Sequence, residues 1–262
     1  MGISNTKQIN TNKNANIKFS KAIHIQTLLQ QISRFVAICQ IKIVIDKNNS
    51  NNNMFIITAT SIDNQINIKA IFNHQDLEKF ICSENIGPIQ FNVDQILELV
   101  MKINSVESVE FFIDQYFISV INSFNQILGK IELISCSTKH IHIPIMEYDA
   151  KISIKSIQYK DICDSIQNTE TIKLTASENE FIAKGFGKYG PLLVIFPNSN
   201  TQDNNNAVAK TYHWTRHLCI FYDCGNYCDN VEIYLQNDII TVLKMNINKQ
   251  STVCVFISSI YK

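Results

Sequence analysis

The residues with latent chemistry gather in the last third of the chain. His213 and His217 stand four apart, Cys219 follows, and Cys224 and Cys228 repeat the same step. Imidazole and thiolate are the ligands of structural zinc. Both spacings fall on one helix or its end, where His213 and His217 would share a face. An apolar stripe through Trp214, Leu218, Phe221 and Tyr222 explains that helix without a metal, and none is assigned. The opening Met1-Gly2-Ile-Ser-Asn-Thr6 fits an N-myristoylation pattern. It is short and common by chance, and the reading preferred here is a plain polar tail with no membrane partner. Asp63, Asp76, Asp114 and Asp238 stand among turn formers and read as turn residues, not as paired acids. His140 and His142 flank Ile141 and could titrate near neutrality. Gly185-Phe-Gly187-Lys-Tyr-Gly190 lacks the Gly-Lys-Ser/Thr of a phosphate loop and reads as a turn between strands. No nucleophile beside a base is found. The expectation is a protein with no catalytic residue, no cofactor and no metal.

Composition agrees with a packed, non-catalytic protein. The 262 residues are 45% hydrophobic and 18% charged, enough for a substantial core. Lys+Arg 23 balance Asp+Glu 23, which excludes a wholly basic nucleic-acid binder but not a local basic face. No apolar run reaches the ~20 residues that span a bilayer, and residues 1–18 do not read as a secretory signal. The 8 cysteines are scattered, mostly in apolar runs, and read as reduced thiols in an intracellular protein.

The elements that position these residues are mostly strands. Period-2 alternation recurs from Ile41 to Ile45, Ile66 to Ile71, Val109 to Ile113, Ile131 to Ile134, Ile152 to Ile154, Ile172 to Leu174, Leu192 to Phe196, Val231 to Leu235 and Ile239 to Leu243. Four segments show helical spacing instead. They are Ile25/Leu28/Leu29/Ile32/Val36, Val93/Ile96/Leu97/Val100/Met101, Tyr159/Ile162/Cys163/Ile166 and Trp214/Leu218/Phe221/Tyr222. Asn92 and Gln95 form a plausible capping pair for the second. Helices fall roughly 60–70 residues apart with strands after each, a unit repeated four times. The division expected is a polar tail (1–18), an N-terminal domain (19–134), a connector (135–149) and a C-terminal domain (150–262).

This layout resembles the PCNA-type sliding clamps (proliferating cell nuclear antigen). Ile143-Pro-Ile-Met-Glu-Tyr148 is similar to the end of that family's interdomain connector. Ile162-Cys163 matches its third helix. Phe181-Ile-Ala-Lys-Gly-Phe-Gly-Lys-Tyr-Gly190 resembles its Phe-x-Ala-x-Gly-x-x-Gly hairpin, and Phe91-Asn-Val-Asp-Gln-Ile-Leu97 sits where the family has its second helix. The resemblance covers about residues 19–262 and is divergent outside these islands. It implies an α+β DNA clamp (processivity) fold with two similar halves, each with two helices on antiparallel sheets.

The resemblance also implies a non-enzymatic function. Three copies would form a homotrimer ring encircling duplex DNA, acting as polymerase processivity factor and recruiting hub in DNA replication and repair. Its partners would be DNA polymerase, other clamp-binding proteins and a clamp loader, in the nucleus or at a viral replication site. DNA would meet Arg34, Lys102, Lys160 and Arg216 on the helices. A partner peptide would lie against Ser61, Asn64, Gln65, Ile68, Ile141, Ile143, Pro144, Ile240, Phe256, Ile257, Ser258 and Ile260. The last run loses the proline of the family's Ala-Pro-Lys-Ile. Subunits would join through residues 125–134 of one copy and 192–199 of the next, with Ile127, Ile131, Leu133, Leu192, Val194 and Phe196 at the contact. One departure is marked. Glu98, Asp161, Asp164 and Asp223 offset the four cations, and Gln95, Glu98, Asp164 and Asp223 align with positions commonly basic in the family. The alternative is therefore a divergent clamp paralogue, or a clamp-fold late transcription factor like those of large DNA viruses, whose AT-rich genomes suit the Asn/Ile/Lys-rich composition.

Overall fold

The computed structural model describes residues 14–134, 147–177, 180–188, 190–197, 209–226 and 228–260. The first half runs β1 (Ala15–Phe19), α1 (Ala22–Ser33), β2 (Ile38–Val44), β3 (Met54–Thr60), β4 (Ile66–Asn73), β5 (Lys79–Cys82), β6 (Ile86–Asn92), α2 (Val93–Val100), β7 (Val109–Ile113), β8 (Phe117–Ile121) and β9 (Ile127–Glu132). The second runs β10 (Ala150–Lys155), α3 (Ser156–Ile166), β11 (Thr171–Ala176), β12 (Glu180–Gly187), β13 (Gly190–Pro197), β14 (Ala209–Trp214), α4 (Thr215–Leu218), β15 (Asn230–Gln236), β16 (Ile240–Asn246) and β17 (Thr252–Ser258).

Alternating residues become half-buried strands, as in β1, whose Ala15, Ile17 and Phe19 face the core while Asn16 and Lys18 do not. The polar tail is therefore shorter than residues 1–18: its Asn and Lys are the outward side of a strand. In α1 the core takes Ile25, Leu28, Leu29 and Ile32. Gln26 is buried beside them, and its Nε2 donates to the carbonyls of Val100 (3.0 Å) and Ile103 (2.8 Å). That side chain thus adds a second donor to the Val100 carbonyl, which already accepts the Ile103 N–H, and supplies one to the Ile103 carbonyl just past α2. At the other end of α2, Asn92 Oδ1 accepts from the Gln95 N–H at 3.1 Å. Gln158 Oε1 accepts the Lys155 N–H at the start of α3.

The fourth helix is one turn rather than the longer stripe expected. After Leu218 the chain tightens into 3-10 turns at Cys219–Phe221 and Cys224–Asn226. Leu218, Phe221 and Cys224 are all buried at a spacing of three, the period of that tighter helix. His213 is also not on this helix. It lies in β14, so it and His217 do not share a helical face.

Strand order exposes an internal repeat. In the first half β7, β8 and β9 follow β1 across one sheet; in the second β15, β16 and β17 follow β10. In the first half β4, β3, β2 and β6 are neighbours; in the second β13, β12, β11 and β14 are. The halves share an eight-stranded sheet because β17 pairs antiparallel with β4, from Thr252↔Ile71 to Ile257↔Ile66. The helical elements pack as a row, with α1 between α2 and the 3-10 turns that follow α4, and those turns against α3. The Gly187–Gly190 stretch turns β12 into β13, with Gly190 at φ +100.

Candidate functional site

Three surfaces hold the residues singled out from the sequence. The first is the helical row. Lys102 Nζ lies 3.1 Å from Glu98, one helical turn away. Lys160 Nζ lies 3.2 Å from Asp164 and 4.0 Å from Asp223, and 4.8 Å from the Tyr222 ring centre. The Arg34 guanidinium carbon lies 5.2 Å from the Tyr222 ring centre and that of Arg216 5.9 Å from the Trp214 ring centre, within cation–π range. Between the halves is a cleft of about 970 Å³, whose lining includes Arg34, Arg216, His217, Asp63, Asp164 and Tyr222. Asp63 accepts from the Ser61 hydroxyl (2.5 Å) and the Gln65 N–H (3.1 Å), which hold its carboxyl below the usual range. It is 3.9 Å from His217 Nε2, and His217 is itself pushed down by burial.

The second surface is a pair of strands that end their sheets among the described residues. Strand β9 has β8 on one side, and β13 has β12 on one side; each ends its sheet. Along β9, Ile127 is 57% exposed, while Ile131 is buried and Leu133 half-buried. Along β13, Leu192 is exposed and Val194 half-buried. Leu193 (55% exposed) and Ile195 (51% exposed) were missed by the sequence reading, which followed one parity of the strand. An edge pairs through its backbone, so side chains of both parities flank a joint.

The third surface surrounds the C-terminal run. The Ser258 N–H donates to the Gln65 carbonyl, the Ser259 N–H to Ile239 and the Ile260 N–H to Tyr212, pinning residues 258–260 between the halves. Ser61, Asn64, Gln65, Ile240, Phe256, Ser258 and Ile260 lie in or beside this region, with Asn64 at φ 57 in a tight turn. Ile68 and Ile257 are core side chains beneath it. Ile141, Ile143 and Pro144 lie outside the described residues, as do His140 and His142.

Under this run is a polar chain whose proton positions follow from its acceptors. His213 Nδ1 is 3.1 Å from the Ser258 carbonyl, which can only accept, so Nδ1 carries the proton. Nε2 then accepts from Thr241 Oγ1 at 2.7 Å, and Thr241 accepts from Thr211 at 2.8 Å. Both His213 nitrogens are thus engaged, and burial pushes its pKa down to about 4. Among the described residues no group of three or more His, Cys, Asp and Glu is arranged to hold a metal, and the seven cysteines there are free thiols.

The aspartates act as turn formers. Asp114 Oδ1 accepts the N–H groups of Tyr116 and Phe117, both at 2.7 Å. Asp76 Oδ2 accepts from Gln250 and Ser251, and Asp238 has φ 56 between β15 and β16. Tyr159 is fully buried, its hydroxyl bonded to the Leu218 carbonyl. No described helix is long and apolar enough to cross a membrane.

No family model matches the chain. It is 24% identical over 227 residues to a "Probable DNA polymerase sliding clamp" of Acanthamoeba polyphaga mimivirus. That match takes in 82% of this chain and 49% of the relative, so the chain spans about half the length of the curated relative it matches. Among solved structures it is similar to the proliferating cellular nuclear antigen of Entamoeba histolytica, with TM-score 0.80, 12% identity and coverage of 94% of this chain and 99% of that one. PCNA from Thermococcus kodakaraensis superposes at TM-score 0.78 with 16% identity, covering 94% and 99%. A PCNA2–PCNA3 complex from Sulfolobus tokodaii gives 0.79 at 12% identity, covering 94% and 100%. The chain has the PCNA-type sliding-clamp fold, in a divergent sequence.

Proposed function

We propose that this protein is a non-enzymatic DNA sliding clamp. Three copies close into a ring around duplex DNA, with the helical row toward the duplex and the sheets outside. The ring holds a DNA polymerase and other partners on the template and is opened by a clamp loader, inside the cell, in the nucleus or at a viral replication site.

The observation that carries this reading is the internal joint. Strand β17, last of the second half, pairs with β4 of the first. By the repeat in strand order, their counterparts are β9 and β13, and each of these ends its sheet. Applying the same joint between copies places β9 of one against β13 of the next. Every subunit then uses one edge of each kind, and a head-to-tail contact of that type makes a ring where its rotation closes on the starting copy. Partner peptides would dock beside residues 258–260 and the connector.

Retention on DNA tests the reading. With its loader, the protein should stay on closed circular duplex and be lost once the circle is cut. Equal loss from circular and linear DNA would refute topological binding. The paired lysines of the helical row favour one alternative, a clamp-fold transcription factor with little direct hold on DNA. That reading predicts no ring and no difference between circle and line.

A further inference from the structure

The four-stranded sheet of the second half turns one face to the core and one outward. Leu174 of β11, Ala183 of β12 and Thr211 of β14 are buried, so their neighbours along each strand point the other way. Register sets those neighbours in rows across the three strands. The middle row is Lys184, Lys173 and Tyr212. On one side of it lie Phe186, Thr171 and Trp214, and on the other Ile182, Thr175 and Lys210. The three rows thus hold three lysines, three aromatic rings and no carboxylate. Lys173 Nζ lies 5.5 Å from the Tyr212 ring centre, and Lys184 Nζ 5.3 Å from that of Phe186.

The carboxylates nearest in sequence stand at the rim. Glu180 is one outward position beyond Ile182 on β12, Glu170 precedes β11, and the Asp238 N–H donates to the Lys210 carbonyl. Among the described residues none of the three lysines has an ion-pair partner. The rim therefore lowers the net charge of the face without neutralising any one lysine. The fold does not impose this pattern. On the matching sheet of the first half the middle row is Thr58, Gln40 and Gln90, which carries no charge and no ring. The helices pack on the core side, so this face is separate from the helical row.

We propose that the outward face of β11, β12 and β14 binds single-stranded DNA, with phosphates at Lys173, Lys184 and Lys210 and bases against Phe186 and Trp214. Three unpaired cations select a polyanion, and rings set among them select one whose bases are open to contact. A duplex keeps its bases stacked inside, and an acidic peptide leaves the rings unused. The choice of DNA over RNA rests on the reading of the chain as a DNA clamp; the face itself does not.

Trp214 is the one tryptophan of the chain and lies on this face, so its fluorescence reports binding directly. An oligothymidylate of about 15 nucleotides, titrated into the full chain, should quench it. The log–log salt slope should be about −2, three phosphates at about 0.7 each. Lys173→Gln, Lys184→Gln and Lys210→Gln should each remove about a third of that slope, and the triple variant nearly all of it. Phe186→Leu keeps apolar cover but removes a ring, and should weaken binding about tenfold. Lys42→Gln, on the first half's sheet, should change neither. All these side chains reach solvent, so melting temperatures should match wild type and serve as the folding control. A duplex of the same length and oligoglutamate should each displace the strand poorly. The proposal is overturned if the triple variant binds like wild type, if Phe186→Leu has no effect, or if oligoglutamate competes equally, which would make the face a site for acidic peptides. Tighter binding of oligouridylate would overturn the choice of DNA. Strand binding by a protein that stays at one chain would remove the ring and keep this face. A ring retained on circular DNA whose Trp214 ignores the oligonucleotide would remove this face and keep the clamp.

Discussion

Lowering the pH should weaken this fold through His213 before any carboxylate is involved. In the unfolded chain that imidazole takes up a proton near its ordinary value of 6.5, and in the folded chain only near 4. The unfolded state thus holds more protons between those limits, so stability is full above about pH 6.5 and falls as pH drops toward about 4. The structural cause is burial, which strips water from the imidazolium and disfavours the charged form. At about 1.4 kcal/mol per pH unit, the loss at about pH 5 is about 2 kcal/mol, rising to about 3 kcal/mol near pH 4. For a chain this long, 2 kcal/mol corresponds to a fall in Tm of about 4–8 °C. His24 and His217 are also pushed down by burial and add loss in the same direction. Asp63, Glu110 and Glu232 are held below their ordinary values and contribute only at lower pH. Calorimetric melting at about pH 7, 6 and 5 isolates the histidine window. His213→Gln keeps a donor and an acceptor but cannot titrate. It should melt somewhat lower at about pH 7 and lose much of the dependence between pH 7 and 5. The same pH dependence in wild type and in His213→Gln would refute the argument.

Two further predictions concern the scaffold. Gly87 has φ +87, and a Cβ there would come within 2.5 Å of the Ile41 carbonyl oxygen; Gly87→Ala should cost about 1–3 kcal/mol, read by urea denaturation. Gln26→Leu keeps the volume but leaves the Ile103 carbonyl without its donor, and should cost about 1–3 kcal/mol. Amide exchange should quicken most at the end of α2, and uniform quickening across the chain would contradict that local cause.

The strands were legible because alternation is a local property of residues such as Ile66 to Ile71. Each half repeats its strands in one order, and the alternation that marks those strands is local as well. The fourth helix was overread because Leu218 and Phe221 fit spacings of both three and four, and only the later burial of Cys224 settles the tighter turn. His213 was placed on a helix because the apolar stripe beginning at Trp214 was extended backward, whereas Thr211 and His213 alternate inward on β14. Its partners, Ser258 and Thr241, are 45 and 28 residues away and leave no local trace. The pairing of Lys102 with Glu98 and of Lys160 with Asp164 could have been found from their four-residue spacing. The β17–β4 joint could not, since strand pairing across some 180 residues is set by the whole sheet.

The mass of the protein in solution tests the account most directly. A single chain is 30.0 kDa. Sedimentation equilibrium at micromolar concentration should give a species of three chains, and Leu193→Asp with Ile195→Asp on the open edge of β13 should shift it to one chain with its melting unchanged. A wild type that stays at one chain, or a trimer indifferent to those substitutions, would contradict ring closure through β9 and β13.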